Sequence, residues 1–337
     1  MTSSYPDKTE IAELMYLSTL IYKCREKVTN NIKIKDIATS TEFMPSAASS
    51  LGLNGEVVFS HTNTRDLQAG ITVNHNRKWI TLVFRGSESW LDFYHDFIIL
   101  QKTLHDKVKV HYGMYKQLSC DFSYNVLRRE IRRLLNTYPN YTLNITGHSL
   151  GGGLALLFAY KYSLENHVQP IRCVSFASPK VGNKAFLEAF KKKNIRHIRC
   201  FTEKDIVPVL PLRGYYHVGE QMKLLQNTIE YTVEPKKPTP GLFSSCWSIK
   251  EHSCDVYNNR LHEFNYKDSP LLQKIEEEGS DKGSNKVSDK GSGEGSGEGS
   301  DKGCDKVSDK GSGQVSDKVS DKGSGQVSDK PPIETSV

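Results

Sequence analysis

The chain has 337 residues, 37% of them hydrophobic, enough for one large α/β domain and an appendage. Its formal net charge of +6 is too small to argue by itself for a nucleic-acid partner, and none is expected. Seven cysteines (Cys24, Cys120, Cys173, Cys200, Cys246, Cys254 and Cys304) are odd in number, scattered, and contain no C-x-x-C pair. That excludes a readable disulfide framework or zinc site and favours reduced thiols.

The first ten residues are polar, without the basic and apolar regions of a signal peptide, and no run of 18 apolar residues occurs. The expected location is cytoplasmic or otherwise intracellular, with membrane contact only at the periphery. Ile11, Leu14, Met15, Leu17, Ile21 and Tyr22 recur at helical spacing, which predicts an amphipathic helix over Lys8 to Lys27. No candidate site residue falls in it, and residues 1–55 read as a lead-in packed on the core. Strand signals follow at Val57-Val58-Phe59, Gly70-Ile71-Thr72-Val73 and Trp79 to Phe84, a hairpin feeding a central strand. In 89–98, Trp90, Leu91, Tyr94, Phe97 and Ile98 share one helical face, and Asp92, His95 and Asp96 the other. Farther on, Leu127, Ile131, Leu134, Leu135 and Tyr138 form an apolar stripe that leaves Arg128, Arg129, Arg132 and Arg133 on the solvated face.

The chemistry gathers around 141–153. Thr142, Leu143, Ile145 and Thr146 favour strand, Leu154 to Tyr160 is a buried-helix run, and Ser149 falls at the joint. Gly147 and Gly151 flank it two residues either side, where so sharp a turn crowds out a Cβ. Ser149 is therefore the candidate nucleophile. The amide of Leu150, at a helix N-terminus, supplies half of an oxyanion hole. A serine hydroxyl needs a base, and the base an orienting carboxylate. Asp205 follows the strand-like His197 to Phe201 and precedes Pro208, in the chain order Ser, Asp, His of α/β-hydrolases; Glu203 is its nearby rival. His252 and His262 are the candidate bases. His148 adjoins the serine and should point away from its Oγ.

Several further segments carry a resemblance. Phe84-Arg85-Gly86-Ser87, Val110 to Tyr115, Ser175 to Asn183, Phe201 to Pro208 and Gly214 to Gly219 stand in the order in which the class 3, fungal-type triacylglycerol lipases carry their motifs, together with Gly147 to Gly152. The chain thus resembles that family over roughly residues 56 to 262. The resemblance implies an α/β-hydrolase fold, with a predominantly parallel central sheet flanked by helices and a short lid helix. It implies that Ser87 supplies the second oxyanion amide, and that 89–97, with Trp90, Leu91, Tyr94 and Phe97, forms the lid. It also favours His252, which lies before a final helix in the family's pattern, over His262, and it makes His111 and His217 buried, hydrogen-bonded structural histidines. Met114, Ser178 and Lys180 depart from the family pattern.

The domain expected on these grounds spans 56–278. Residues 279–330 are Ser/Asp/Lys/Gly repeats without an aromatic residue, which reads as a disordered tail, and 331–337 end in a possible PDZ ligand at Val337. The expected activity is serine-dependent hydrolysis of a lipid ester (tri-, di- or monoacylglycerol) at a membrane or droplet surface, with no metal or organic cofactor. Phospholipase A1 or small-ester esterase activity on the same triad is the alternative. Two non-enzyme readings remain, a catalytically silent hydrolase-fold binder and a scaffold acting through the tail.

Overall fold

The computed structural model describes residues 6–24, 31–41, 54–87, 100–165, 170–226, 228–232 and 248–262. The expected lid, the repeat tail and Val337 lie outside the described residues. In chain order come α1 (Lys8–Lys23), β1 (Ile32–Lys33), α2 (Ile34–Ser40), β2 (Glu56–Thr62), β3 (Gln68–Asn74) and β4 (Trp79–Phe84). Then follow β5 (Gln101–His105), β6 (Val108–His111), α3 (Tyr112–Ser119), α4 (Ser123–Thr137), β7 (Thr142–His148) and α5 (Leu150–Ser163). The remaining elements are β8 (Ile171–Phe176), α6 (Lys184–Lys191), β9 (Ile195–Thr202), β10 (Glu220–Leu224), β11 (Ile229–Thr232) and α7 (Cys254–His262).

The nine strands of the main sheet stand in the order β1-β2-β3-β4-β7-β8-β9-β10-β11 among the described residues, and β5 pairs with β6 apart from it. From β4 through β10 the neighbours are parallel. The flanks are antiparallel, because β2, β3 and β4 are joined by turns too short for a crossover. The parallel expectation therefore holds for the centre of the sheet, and the edges are hairpins. β4 and β8 are buried at every position, as strands covered on both faces must be.

One face is covered by α5, which packs on β4, β7 and β8 and against α3. Gly151 to Tyr160 are all buried, so this helix has no polar face and depends on its surroundings for stability. The other face is covered by α1 and α7. Asp7 caps α1: its side chain accepts from Glu10 N at 2.8 Å while the Glu10 carboxylate accepts from Asp7 N at 2.9 Å. α1 ends at Lys23, four residues short of the extent expected from its periodicity. Ser18 Oγ on its inner side lies 3.1 Å from Thr146 Oγ1 of β7, which ties the lead-in to the strand before Ser149. On α4, Arg128 and Arg132 leave the apolar stripe as expected and pair with Glu165.

Within the sheet, on β9, His197 is held as a neutral ring. Its Nδ1 donates to Val218 O at 3.1 Å, and its Nε2, 2.9 Å away, accepts from Ser175 Oγ. Burial, reinforced by the Arg199 charge, pushes its pKa down to about 3. The unfolded chain binds this proton near pH 6.5 and the folded chain does not. The stability contributed is thus complete above that pH and lost as pH falls toward 3. Unfolding free energies from urea titration should fall between pH 7 and 4.5, by about 3 kcal/mol for this one group, and His197→Gln should show a shallower acid slope. An unchanged slope in that variant would refute the assignment.

Candidate active site

The turn between β7 and α5 is built from close approaches. Ser149 has φ 58° and ψ −128°, a left-handed conformation that costs a non-glycine residue on the order of 1–3 kcal/mol. A Cβ on Gly147 would lie 2.5 Å from the Gly151 carbonyl, and one on Gly151 only 2.3 Å from Phe84 O. The Ser149 amide donates to Phe176 O of β8 at 2.9 Å, which pins the strained residue between two strands. Its side chain is thereby raised above the C-terminal edge of the sheet.

His252 and Asp205 arrive there from distant parts of the chain. His252 Nε2 is 2.8 Å from Ser149 Oγ, and His252 Nδ1 is 2.9 and 3.1 Å from the two Asp205 oxygens. Both are buried, Asp205 almost completely, so the hydrogen-bonded chain runs through a medium that strengthens it. Asp205 also accepts from Val207 N at 2.9 Å and from Tyr257 OH at 2.7 Å. These donors leave the carboxylate satisfied and fix its plane toward the imidazole. His252 sits on a single 3-10 turn, Ile249–His252, that leads into α7. Thr202 Oγ1 donates to Glu251 O at 3.3 Å, and Arg260 clamps the turn by donating to the Glu251 carboxylate and, at 2.6 Å, to Leu224 O. The rivals fall elsewhere: Glu203 is exposed and pairs with Lys223, and His262 ends α7.

His148 turns away from Ser149 Oγ toward Tyr22 of α1, whose hydroxyl lies 3.2 Å from its Nδ1. Burial, and then the neighbouring His252, holds His148 well below the ordinary histidine value, so it packs as a neutral ring 4.8 Å from the His252 ring. His111 is buried and accepts from Met114 N at 3.4 Å, capping α3. His217 donates through Nε2 to Pro208 O at 2.6 Å, hydrogen-bonded as expected, and is half-buried rather than buried.

Leu150 opens α5, where a first-turn amide has no partner within the helix. Ser87 follows β4 by three residues and is half-buried. Gly86 before it touches the elbow directly: a Cβ there would meet His148 O at 2.7 Å and Ser149 Cβ at 3.2 Å. The two residues expected to donate oxyanion amides thus lie on segments in direct contact. Trp90, Leu91, Tyr94 and Phe97 are outside the described residues. Among the described residues no three His, Cys, Asp or Glu side chains converge as a metal would require.

Tyr257, Tyr22 and Arg260 are site neighbours that sequence reasoning passed over. Tyr257 lies five residues after His252, but nothing local says that its hydroxyl reaches Asp205. Two departures from the family pattern find their physical sense here. Met114 fills the space over Gly153, where a Cβ would lie 2.8 Å from its Cε. Lys180 Nζ bonds Val209 O at 2.5 Å and Pro211 O at 3.2 Å, gripping the chain just past Asp205. Burial, and next Arg199, pushes this lysine down to about 8.

A parallel-centred sheet between helices, with a strained serine at a strand-to-helix elbow and a histidine and aspartate in line behind it, is an α/β-hydrolase fold. The model of the family described as Lipase (class 3) matches residues 81–215. The lipase of Rhizomucor miehei is 31% identical over 176 residues, covering 49% of this chain and 47% of that protein. Phospholipase A1-IIgamma of Arabidopsis thaliana is 30% identical over 187 residues, covering 47% and 45%. The solved lipase of Rhizopus microsporus var. chinensis superposes with a TM-score of 0.60 at 22% identity, covering 74% of this chain and 88% of that one. The chain spans about half the length of the curated relatives it matches. Its sequence is thus similar to the class 3 lipases, and its fold is that of the α/β-hydrolases.

Two substitutions test this construction. Gly151→Ala should lower stability by about 3 kcal/mol or more, because the clash is with backbone that cannot rotate away. Tyr257→Phe leaves one Asp205 oxygen short of a donor and should lower stability by about 1–2 kcal/mol. It should also slow phosphonylation of Ser149 by a fluorophosphonate severalfold. Wild-type melting and labelling in Tyr257→Phe would exclude that support.

Proposed function

We propose that this protein is a serine-dependent hydrolase of lipid carboxylic esters. The observation that carries the reading is the buried line Asp205–His252–Ser149, with contacts of 2.9 and 2.8 Å ending at the strained elbow. Ser149 Oγ attacks the ester carbonyl while His252 Nε2 takes its proton; Asp205 holds the ring and stabilises the imidazolium. The amides of Leu150 and Ser87 stabilise the oxyanion, an interaction for which one donor is typically worth about 3 kcal/mol. His252 returns the proton to the leaving alcohol, then activates the water that frees the acid and regenerates Ser149.

Support for a lipid substrate comes from relatives whose names are lipase and phospholipase A1. The acylglycerol reading is preferred, and phospholipase A1 is the second reading because of the similarity to the Arabidopsis protein. No described helix is long and apolar enough to cross a membrane; in this reading the lipid ester is met at a membrane or droplet surface. An intracellular location is part of this reading; the free thiols of Cys24, Cys120, Cys173, Cys200 and Cys254 suit a reducing compartment. A PDZ partner has no support among the described residues or the relatives.

The test is turnover of a soluble short-chain ester, a diacylglycerol emulsion and phosphatidylcholine by the full chain and by Ser149→Ala. Loss of at least about a thousandfold in the variant is expected, with the emulsion the best lipid substrate. Preference for phosphatidylcholine would select the phospholipase reading, and turnover only of the soluble ester an esterase. Equal turnover by wild type and variant would overturn the proposal.

A further inference from the structure

The last turn of α1 reaches the residues that follow β4. Tyr22 Oη lies 3.2 Å from His148 Nδ1 and 3.4 Å from His148 O, and the two rings meet edge to face. Gly86 lies against the same oxygen: a Cβ there would collide with it, and the Gly86 amide is turned toward it. Among the described residues no main-chain carbonyl accepts from that amide, although Gly86 is buried. A buried N–H needs an acceptor, and the phenol oxygen supplies one while its own proton goes to His148. Burial holds the phenol above its ordinary pKa, so it remains a donor.

The place of this hydroxyl is fixed from both sides. Gln68 Nε2 donates to Cys24 O at 2.8 Å, closing the end of α1 onto β3, and Gln68 O accepts from Arg85 N at 2.9 Å. One residue of β3 therefore holds both the turn that carries Tyr22 and the residue before Gly86. Earlier in the helix, Ser18 meets Thr146 of β7 and Thr19 accepts from Asn258 of α7. Ser87 comes next after Gly86, and the reaction proposed above draws on its amide. The peptide plane between the two sets where that N–H points. A donor stabilises a developing oxyanion only if it is held in place before the charge appears.

We propose that Tyr22 is a positioning residue for the oxyanion site: its hydroxyl bridges Gly86 N and His148 and so fixes the peptide that aims the Ser87 amide. It acts through Gly86, not on the substrate. The effect on rate rests on the hydrolase reading, whereas the effect on the Gly86 amide is measurable without turnover.

The experiment is Tyr22→Phe in the full chain, which keeps the ring and its edge contact and removes one oxygen. With a soluble short-chain ester, kcat should fall roughly tenfold with KM within about twofold, less than the loss of about a hundredfold or more when a donor is removed outright. A trifluoromethyl ketone of the same chain length takes up Ser149 Oγ as a tetrahedral oxyanion while His252 keeps the proton. Its inhibition constant should rise by the same factor as kcat falls. Hydrogen–deuterium exchange at the Gly86 amide should quicken at least about tenfold in the variant, with exchange in β8 as in the wild type. A rise in KM alone, an unchanged ketone constant, unchanged exchange at Gly86, or equal quickening in β8 would overturn the proposal. Absence of serine-dependent turnover in the wild type would instead sink the hydrolase reading, and the exchange measurement would still decide whether Tyr22 holds Gly86.

Discussion

Phe84, at the end of β4, holds its carbonyl oxygen where a Cβ on Gly147 or Gly151 would come within 2.8 or 2.3 Å. That approach fixes the distance between the two central strands and the first turn of α5, and the rest of the site is referred to it. Because the helix begins so close to the strand end, Ser149 has no room for an ordinary conformation and takes a positive φ. The strain is borne by a bond to β8 and by a helix buried on all sides, which cannot move to relieve it. Gly86 then touches the same turn from β4, so the segment leading to Ser87 and the segment leading to Leu150 share one rigid corner.

Around that corner the molecule spends its buried polar groups on orientation. Asp205 accepts from a tyrosine and a backbone amide besides the imidazole, and the turn carrying His252 is tied to Thr202 and Arg260. Lys180 reaches past Asp205 to two carbonyls, Val209 O and Pro211 O. A lysine, with a compact charge and three donors, can satisfy two carbonyls that do not lie in one plane. Tyr22 brings α1 into the same network through His148. The lead-in helix is therefore continuous with the site's support, a role its periodicity did not disclose.

What was legible in the chain is what local sterics dictate. Glycines either side of a serine, between a β-branched run and an apolar helical run, announce the elbow because each requirement is met within a few residues. The parallel centre of the sheet was implied only by the family resemblance, whereas the hairpin feeding the central strand was legible from the short turn before Trp79. Choosing between His252 and His262 required knowing where a helix begins, and its first turn does separate them. The reach of Tyr257 to Asp205, of Tyr22 to His148 and of Lys180 to Val209 could not be read, because each spans elements whose juxtaposition only the folded sheet creates.

α1 and α7 pack together at opposite ends of the described chain, where Asn258 Nδ2 donates to Thr19 Oγ1 at 2.9 Å. The nucleophile lies near the middle, and its histidine comes on the last described segment. During synthesis the elbow, the central strands and Asp205 all emerge before residues 248–262. A nascent or clipped chain that lacks residues 248–262 therefore holds Ser149 without the His252 ring beside it. The contact between them waits on a segment made 103 residues after the elbow and on the docking of α7 against α1.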